Sequence, residues 1–188
     1  MNVPSVVHRS RRAFLAPLWL GAAIALIGLS ALFLLARSFE TMTVIVIRHA
    51  EKQLGTIADP PLTTEGEARA ERLALMFGEQ GTGGRPITAV IASEARRAQQ
   101  TAAPLARRLG IAVTTVPARD EPELLALLGR QPQGSAALVV GHSNTVPEIV
   151  AALTRGKVRP TVSDDDYGSM FIVTVPRYGP VSVLRMRY

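Results

Sequence analysis

Short apolar runs and longer amphipathic stretches alternate along most of the chain. Six of the runs are rich in β-branched residues and have the length of buried strands: 42–47, 87–91, 111–116, 136–140, 170–175 and 181–186. Between these runs, apolar residues at helical spacing predict helices over 64–77, 94–109, 121–128 and 144–153. Because strands that alternate with helices pack into a parallel sheet covered on both faces, this order predicts an α/β fold, a three-layer sandwich.

The residues at the ends of these elements agree with that order. Thr64-Glu65-Gly66-Glu67 has the spacing of a capping box that opens the first of these helices. Gly110 and Gly129 are predicted to end the second and third helices, since glycine readily adopts the left-handed conformation at a helix C-terminus. The last two strands are separated only by 176–180, which leaves no room for a helix. We therefore expect an antiparallel hairpin at one end of a mostly parallel sheet.

The N-terminal part of the chain has a different pattern. Residues 13–36 carry no charged side chain and show no polar face. A helix needs about 20 apolar residues to cross a hydrocarbon core of about 30 Å, so this segment predicts a transmembrane anchor or an uncleaved signal. A basic leader, 1–12, precedes it, and a short linker, 37–41, joins it to a domain over 42–188.

The charges that flank this segment predict its orientation. Arg9, Arg11 and Arg12 precede it and Arg37 follows it, so the positive-inside rule puts the N-terminus in the cytoplasm and the domain outside. We therefore expect a single-pass protein of the inner (cytoplasmic) membrane. Two other interpretations stay open: a cleaved signal peptide, which has the same order of charged and apolar residues, and a twin-arginine export signal, which 10–15 resembles.

The net charge of +6 does not indicate a nucleic-acid partner. Residues 1–40 hold four of the 21 Lys and Arg residues and one of the 15 acidic residues, which leaves 17 basic and 14 acidic residues, a net charge of +3, in the rest. Half of the excess charge thus belongs to the N-terminus. The chain has no cysteine, which excludes a disulfide scaffold, cysteine-bound zinc, an iron–sulfur cluster and a cysteine nucleophile.

Residues suited to phosphate chemistry follow the predicted strands directly. Arg48 and His49 follow the first strand, Arg97 follows the second and His142 follows the fourth. Ligands of an α/β sheet bind outside the carboxyl ends of its strands, so we expect these side chains to share one site. A neutral imidazole can attack phosphorus, and guanidinium groups can bind the phosphoryl oxygens and neutralise their charge. Such a site needs no metal and no other cofactor.

Four blocks in this order resemble the histidine phosphatase superfamily, also called the phosphoglycerate mutase-like superfamily. Arg48-His49-Ala50 is similar to its Arg-His-Gly signature, with alanine in place of glycine, and 59–66 resembles its Leu-Thr-x-x-Gly segment. Residues 97–101 match its Arg-Ala-x-x-Thr pattern, and 139–144 resemble its second-histidine block. The resemblance covers about 42–188 and is closest to the short phosphatase branch with an Arg-His-Ala-Glu motif.

The resemblance implies a role for each of these residues. His49 would be the nucleophile that carries the phosphoryl group as a phosphohistidine, which water then hydrolyses. Arg48, Arg97 and His142 would form the phosphate pocket, with His142 protonated among the phosphoryl oxygens. The register of the arginine block selects Arg97 rather than Arg96, and two consecutive residues of a helix point about 100° apart.

The proton donor and a further substrate contact have several candidates. In the family the acid normally follows the third strand, where Asp120, Glu121 and Glu123 stand. We favour Asp120, because Glu121 and Glu123 fall in the first turn of the next helix, where acidic side chains are favourable in any case. Asn144, after the second histidine, is a candidate for substrate binding. Residues 164–166, three aspartates, could bind a divalent cation, but such a run is more often a solvated loop.

These features predict a metal-independent phosphomonoesterase that acts on a phosphorylated substrate of the cell envelope. The connection between the second and third strands is short, and the resemblance implies that mutases carry longer insertions there, so we expect an open site for small or bulky substrates. Two alternatives stay open: a membrane-tethered module that binds a phosphorylated ligand without turnover, and a phosphatase for protein phosphohistidine. The sequence leaves the oligomeric state undetermined.

Overall fold

The computed structural model describes residues 18–38, 41–55, 58–78 and 84–188. It divides into two units after Arg37, and the N-terminal unit contains all but the last residue of helix α1 (Leu18–Ser38). Large side chains of this helix, such as Trp19 and Ile27, are exposed. Within the described ranges, no helix has both the length and the apolar composition that crossing a membrane requires. The predicted leader, 1–12, and parts of the predicted anchor and linker lie outside the described residues.

The described part of the second unit is built on a six-stranded sheet. Its strands are β1 (Thr41–Arg48), β2 (Ile87–Ala92), β3 (Val113–Thr115), β4 (Ala136–Gly141), β5 (Ser169–Pro176) and β6 (Ser182–Arg187). Their order across the sheet is β3-β2-β4-β1-β5-β6. The first four strands of that order pair in parallel, whereas β5 and β6 pair antiparallel. The fold is therefore α/β with a mixed sheet, and the predicted hairpin forms its antiparallel end.

Helices cover both faces of this sheet. They are α2 (Thr64–Phe77), α3 (Arg96–Leu109), α4 (Glu121–Gly129) and α5 (Thr145–Leu153). Successive side chains of β1 point to opposite faces: Ile45 and Ile47 pack in the core under α2 and α3, and Val44 and Val46 pack in the core under α4 and α5. Burial on both faces explains why β1 is a continuous apolar run and why it lies inside the sheet.

The N-terminal ends of two helices differ from the prediction, one in its cap and one in its first residue. The N-cap of α2 is Thr63 rather than Thr64, because the Thr63 hydroxyl accepts a hydrogen bond from the backbone N–H of Gly66 (3.1 Å). Helix α3 begins at Arg96 rather than Glu94, because the residue before Arg96 has an extended backbone. Helix α2 thus keeps its predicted first residue with a different cap, and α3 begins two residues later than predicted.

The ends of some later helices and strands also differ from the predicted ones. Gly110 ends α3 in the left-handed conformation (φ 68°), as predicted, whereas Gly129 is the last residue of α4 and Arg130 caps that helix. Strand β3 covers only three residues instead of the predicted 111–116, because it lies at the edge of the sheet and pairs with β2 alone.

The acidic run 164–166 is not solvated throughout. Asp166 is 9% exposed and accepts hydrogen bonds from the backbone N–H (3.1 Å) and the hydroxyl (2.6 Å) of Ser169. It also forms an ion pair with Arg185 (2.9 Å). This side chain therefore anchors the start of β5. Among the described residues, no three His, Cys, Asp or Glu side chains are grouped so that they could hold a metal ion.

Candidate active site

The carboxyl ends of β1, β2 and β4 lie side by side because these strands are parallel neighbours. Arg48 pairs with Gly141 at the end of the β1–β4 ladder, and the backbone N–H of His49 donates to the carbonyl oxygen of Gly141 (2.9 Å). This register brings His49 and His142 together, with their ring centroids 5.2 Å apart.

His49 is held in one tautomer by its two neighbours. Its Nδ1 lies 2.8 Å from the carbonyl oxygen of Ala50, which can only accept, so Nδ1 carries the proton. Its Nε2 lies 3.1 Å from Nε of Arg97, which can only donate. Burial is the main cause that lowers the pKa of His49 to about 3, and the positive charge of Arg48 adds to this effect. The imidazole is therefore neutral across the neutral and mildly acidic range, with a lone pair on Nε2.

Arg97, in the first turn of α3, contacts both histidine rings. Besides His49, it reaches His142, whose Nδ1 lies 3.4 Å from its Nη2, and Asp59, whose carboxylate lies 3.4 Å from its Nη1. The side chain of Arg96 is exposed, while its backbone N–H donates to the same Asp59 carboxylate (3.0 Å). The structure thus brings Arg97, and not Arg96, to the histidines, as the difference in direction on a helix requires.

His142 is positioned by the turn between β4 and α5. Its backbone N–H donates to the hydroxyl of Thr145 (2.8 Å), and its Nε2 lies 2.8 Å from the hydroxyl of Ser93, which follows β2. A Cβ on Gly141 would lie 2.7 Å from that Thr145 hydroxyl, so glycine permits this tight turn. Burial and then the charge of Arg97 lower the pKa of His142. An anion bound between the rings would act in the opposite direction and favour the protonated ring.

Arg48 presents a buried guanidinium to the same site. The residue is 4% exposed, its Nη1 donates to the carbonyl oxygen of Ser163 (3.1 Å), and the ring of Tyr167 lies 4.1 Å from its Cζ. Within the described part of the chain, its Nε has no hydrogen-bond partner. Because a buried donor without an acceptor is costly, this nitrogen favours an anionic ligand at the site.

Ala50 and Glu51, the two residues after His49, are held in place by α2 and α3. The backbone N–H of Ala50 donates to the hydroxyl of Thr101 (3.0 Å), and the Glu51 carboxylate accepts from Arg69 at 2.6 to 2.9 Å. Burial is the largest single influence and would raise the pKa of Glu51, but the hydrogen bonds to its carboxylate and the charges of Arg69 and Arg72 together outweigh burial and lower the pKa. A Cβ on Gly66 would overlap the carbonyl oxygen of Glu51, so only glycine lets α2 approach this segment so closely.

The two histidines and the two arginines line an open cavity of about 340 Å³. Further charged and polar side chains also line it: Lys52, Glu94, Arg119, Asn144 and Asp164. The predicted substrate contact, Asn144, therefore lies on the same cavity as the histidines. Four of the lining side chains are cationic and two are acidic, apart from the histidines, which suits an anionic ligand.

The favoured proton donor, Asp120, lies elsewhere. It is the N-cap of α4, where its carboxylate accepts from the backbone N–H of Glu123 (3.0 Å), and it lines a second, neighbouring cavity. Glu121 and Glu123 lie in the first turn of α4. Glu94 lines the histidine cavity, and its carboxylate accepts from the backbone N–H of Ala118 (2.8 Å).

Several contributors to the site were not predicted as site residues from the sequence, among them Glu94, Asp59 and Tyr167. Glu94 stands two residues after β2, and this position was a usable signal, since the site was expected at strand ends. Asp59 and Tyr167 reach Arg97 and Arg48 from loops, and their spacing in the sequence carries no comparable signal.

Known proteins resemble this chain in sequence and in fold. The family profile "Histidine phosphatase superfamily (branch 1)" matches residues 44–133. The solved structure of the protein histidine phosphatase SixA, complexed with tungstate, aligns with a TM-score of 0.62 and 24% identity over 78% of this chain and 97% of that chain. A mycobacterial glucosyl-3-phosphoglycerate phosphatase aligns with a TM-score of 0.58 and 15% identity over 79% and 98%.

A phosphoglycerate mutase from Plasmodium falciparum aligns with a TM-score of 0.57 and 15% identity, over 78% of this chain and 91% of that chain. At these identities the three structures show a shared fold. No curated protein sequence matches the chain.

Proposed function

We propose that the chain is a member of the histidine phosphatase superfamily, whose family profile matches residues 44–133, and that it hydrolyses phosphomonoesters without a metal, through a phosphohistidine on His49. The state of His49 carries this proposal: the ring is buried and neutral, its proton is on Nδ1, and the lone pair of Nε2 lies beside Arg97. Only an unprotonated ring nitrogen can attack phosphorus, and this arrangement keeps Nε2 unprotonated.

The reaction then has two displacements at phosphorus. In the first, Nε2 of His49 forms a bond to phosphorus while the ester P–O bond breaks, and the alcohol leaves with a proton from a carboxylic acid. In the second, water attacks phosphorus and gives a proton to the same carboxylate, the P–N bond breaks, and phosphate leaves. Arg48 and Arg97 neutralise the phosphoryl oxygens throughout, and His142 donates a hydrogen bond to them once the anion is bound.

We assign the proton donor to Glu94, because it lines the cavity that holds His49, whereas Asp120 lines the neighbouring cavity. Glu94→Gln and Asp120→Asn separate the two carboxylates. A donor is needed for an alkoxide and hardly for p-nitrophenolate, which leaves without a proton. Loss of the donor should therefore lower kcat for an alkyl phosphate about 10²-fold or more, with a much smaller effect on p-nitrophenyl phosphate. The opposite result, a large effect in Asp120→Asn only, would return the role to Asp120.

Hydrolysis of p-nitrophenyl phosphate by the full chain, with and without a chelator, tests the proposed function. We expect turnover that the chelator does not reduce and that His49→Ala abolishes, with Arg96→Ala as the control that keeps the activity. Rapid quenching should trap a phosphorylated protein that is labile in acid and stable in base, as a phosphohistidine is. Phosphate binding without turnover would instead support a module that binds phosphorylated ligands.

The substrate is proposed to be a phosphorylated component of the cell envelope. This proposal rests on the uncharged segment 13–36 and on the basic residues before it, which predict a single-pass protein with its domain outside the cytoplasm. Reporter fusions after Tyr188 test the location, and an active reporter of cytoplasmic folding would reverse it. A cytoplasmic domain would direct the search to protein phosphohistidine, the substrate of the SixA enzymes whose fold it shares.

A further inference from the structure

A second cavity, of about 430 Å³, adjoins the histidine cavity. It lies between the sheet and helices α4 and α5. Ala118, Arg119, Asn144 and Thr145 line both cavities, so the two spaces meet at these residues. A ligand whose phosphoryl group lies between the histidines can therefore extend its remainder into the second cavity.

The inner wall of this second cavity is apolar. Five buried side chains, from β2, β4, α4, α5 and the segment after β3, form it: Ile91, Val116, Leu124, Val139 and Ile149. None of these side chains can form a hydrogen bond. A group that enters the cavity therefore gains free energy by leaving water and not by polar contacts.

The acidic residues that line the cavity are more exposed than the residues of its apolar wall. Glu121 and Glu148 are exposed and Asp120 is half-buried. Asp120 already caps its own helix, and Glu148 forms an ion pair with Arg159 (2.6 Å). These three carboxylates outnumber Arg119, a cation that also lines the cavity, so their negative charge disfavours a second anionic group in this direction and leaves the apolar wall free for an uncharged one.

We propose that the second cavity is a specificity site that binds the apolar alcohol part of the substrate, a branched or linear alkyl group or a single ring. This inference rests on the proposed function, since the phosphoryl group must lie between the histidines. The volume of the cavity falls in the range of small-molecule sites, roughly 300–1,000 Å³, and is sufficient for such a group. The preferred substrates are thus phosphomonoesters of uncharged, predominantly apolar alcohols, and not of compact polyols or of second anions.

A series of n-alkylphosphonates, from methyl to octyl, tests the site by calorimetric binding to the full chain. Their P–C bond is not hydrolysed, so the measurement needs no turnover. Nanodiscs are the appropriate carrier, because the alkyl chains of a detergent would compete. We expect Kd to fall by up to about fourfold for each methylene until the cavity is filled, and then to level off. An ω-carboxyalkylphosphonate of equal length should bind more weakly.

Two variants in helix α4 test whether the dependence of Kd on chain length arises in the second cavity. Leu124 lines the cavity, and Leu128, one helical turn later, is buried in the same core without lining it. Leu124→Phe should flatten the dependence on chain length while methylphosphonate binding stays within about twofold, and Leu128→Phe should keep the wild-type dependence. Should Leu124→Phe fail to fold, Leu124→Ala gives the converse test, since a larger cavity should move the levelling-off point to a longer chain.

Each outcome decides one question. A Kd that is independent of chain length in the wild type, or a dependence that Leu124→Phe and Leu124→Ala leave unchanged, overturns the apolar site. The turnover of p-nitrophenyl phosphate by the same preparation is measured separately. Its absence counts against the proposed function, whereas turnover with a flat phosphonate series counts against the present inference alone.

Discussion

Replacing His49 by Asn should remove a loss of stability that the wild-type domain undergoes in mild acid. Burial lowers the pKa of His49 to about 3 in the folded protein, while an unfolded histidine titrates near 6.5. Below about pH 6.5 the unfolded chain therefore binds a proton that the folded protein does not. The free energy of unfolding therefore decreases as the pH is lowered through this window. The loss that His49 causes stops growing only near the pKa of the folded state.

The size of the effect follows from the two pKa values. Each pH unit inside the window changes the free energy of unfolding by about 1.4 kcal/mol, so the integrated loss between pH 7 and pH 5 is about 2 kcal/mol. This figure is insensitive to the folded pKa as long as that pKa stays below about 4. An Asn side chain can still donate a hydrogen bond to the Ala50 carbonyl oxygen, but it does not titrate.

Urea unfolding of the full chain at pH 5, 6 and 7, followed by far-UV circular dichroism, measures this difference. Tryptophan emission is unsuitable, because Trp19 lies in α1 and in the other unit of the chain. The difference in the free energy of unfolding between wild type and His49→Asn should change by about 2 kcal/mol from pH 7 to pH 5. Arg96→Gln serves as the control and should follow the wild type. Parallel pH dependences for wild type and His49→Asn would refute a buried, neutral imidazole.

Three further substitutions probe the surroundings of the site. Arg97→Ala should lower kcat/KM for p-nitrophenyl phosphate about 10²- to 10³-fold, because it removes a cation from the phosphoryl oxygens, whereas Arg96→Ala should change it about threefold or less. Gly66→Ala should destabilise the domain by about 1–3 kcal/mol in a melting experiment and lower the activity, because the new Cβ overlaps the Glu51 carbonyl oxygen. Arg69→Gln should cost about 3 kcal/mol at pH 7, measured by urea unfolding, because Glu51 loses its paired hydrogen bonds. This last cost should shrink in acid, since the lowered pKa of Glu51 means that the pair stabilises above the unfolded pKa and is lost as the pH falls through the folded one.

The chain offers a matched control for two of these changes. A Cβ on Gly129, at the end of α4, meets no atom within 4 Å, so Gly129→Ala should leave activity unchanged and stabilise the helix by up to about 1 kcal/mol. Arg107 and Glu71 form an exposed ion pair, with side chains 68% and 59% exposed, so Arg107→Gln should cost less than about 1 kcal/mol. Equal effects at Gly66 and Gly129, or at Arg69 and Arg107, would contradict the assigned contacts.

Much of the fold could be predicted from local patterns. The apolar runs of β1 and β4 are long because both strands are buried on two faces, and that burial is itself a property of central parallel strands. The α/β order and the antiparallel end followed from spacing alone. The helix caps and some element boundaries did not: Thr63 rather than Thr64 caps α2 through a hydrogen bond that also depends on the path of the chain before it, and α3 begins at Arg96.

For the candidate site, the sequence determined which groups are chemically available: two histidines and an arginine at the ends of strands, and an arginine on the helix after one of them. Parallel strands carry such residues to one edge, so spacing along the chain predicts that they meet. The tertiary structure alone decided their states. The proton of His49 is fixed by Ala50 and Arg97, and its low pKa results from burial that no local pattern reveals.

The tertiary structure also decided which acidic residue lies near the histidines and where the second cavity forms. Acidic residues are frequent at helix N-termini, so their spacing could not separate the cap of α4, Asp120, from Glu94, which lines the histidine cavity. The apolar cavity is formed by side chains from four elements that are distant in the sequence, such as Ile91, Leu124 and Ile149. Its position beside the histidine cavity depends on how two helices pack on the sheet, which is a property of the packed molecule and not of any one segment.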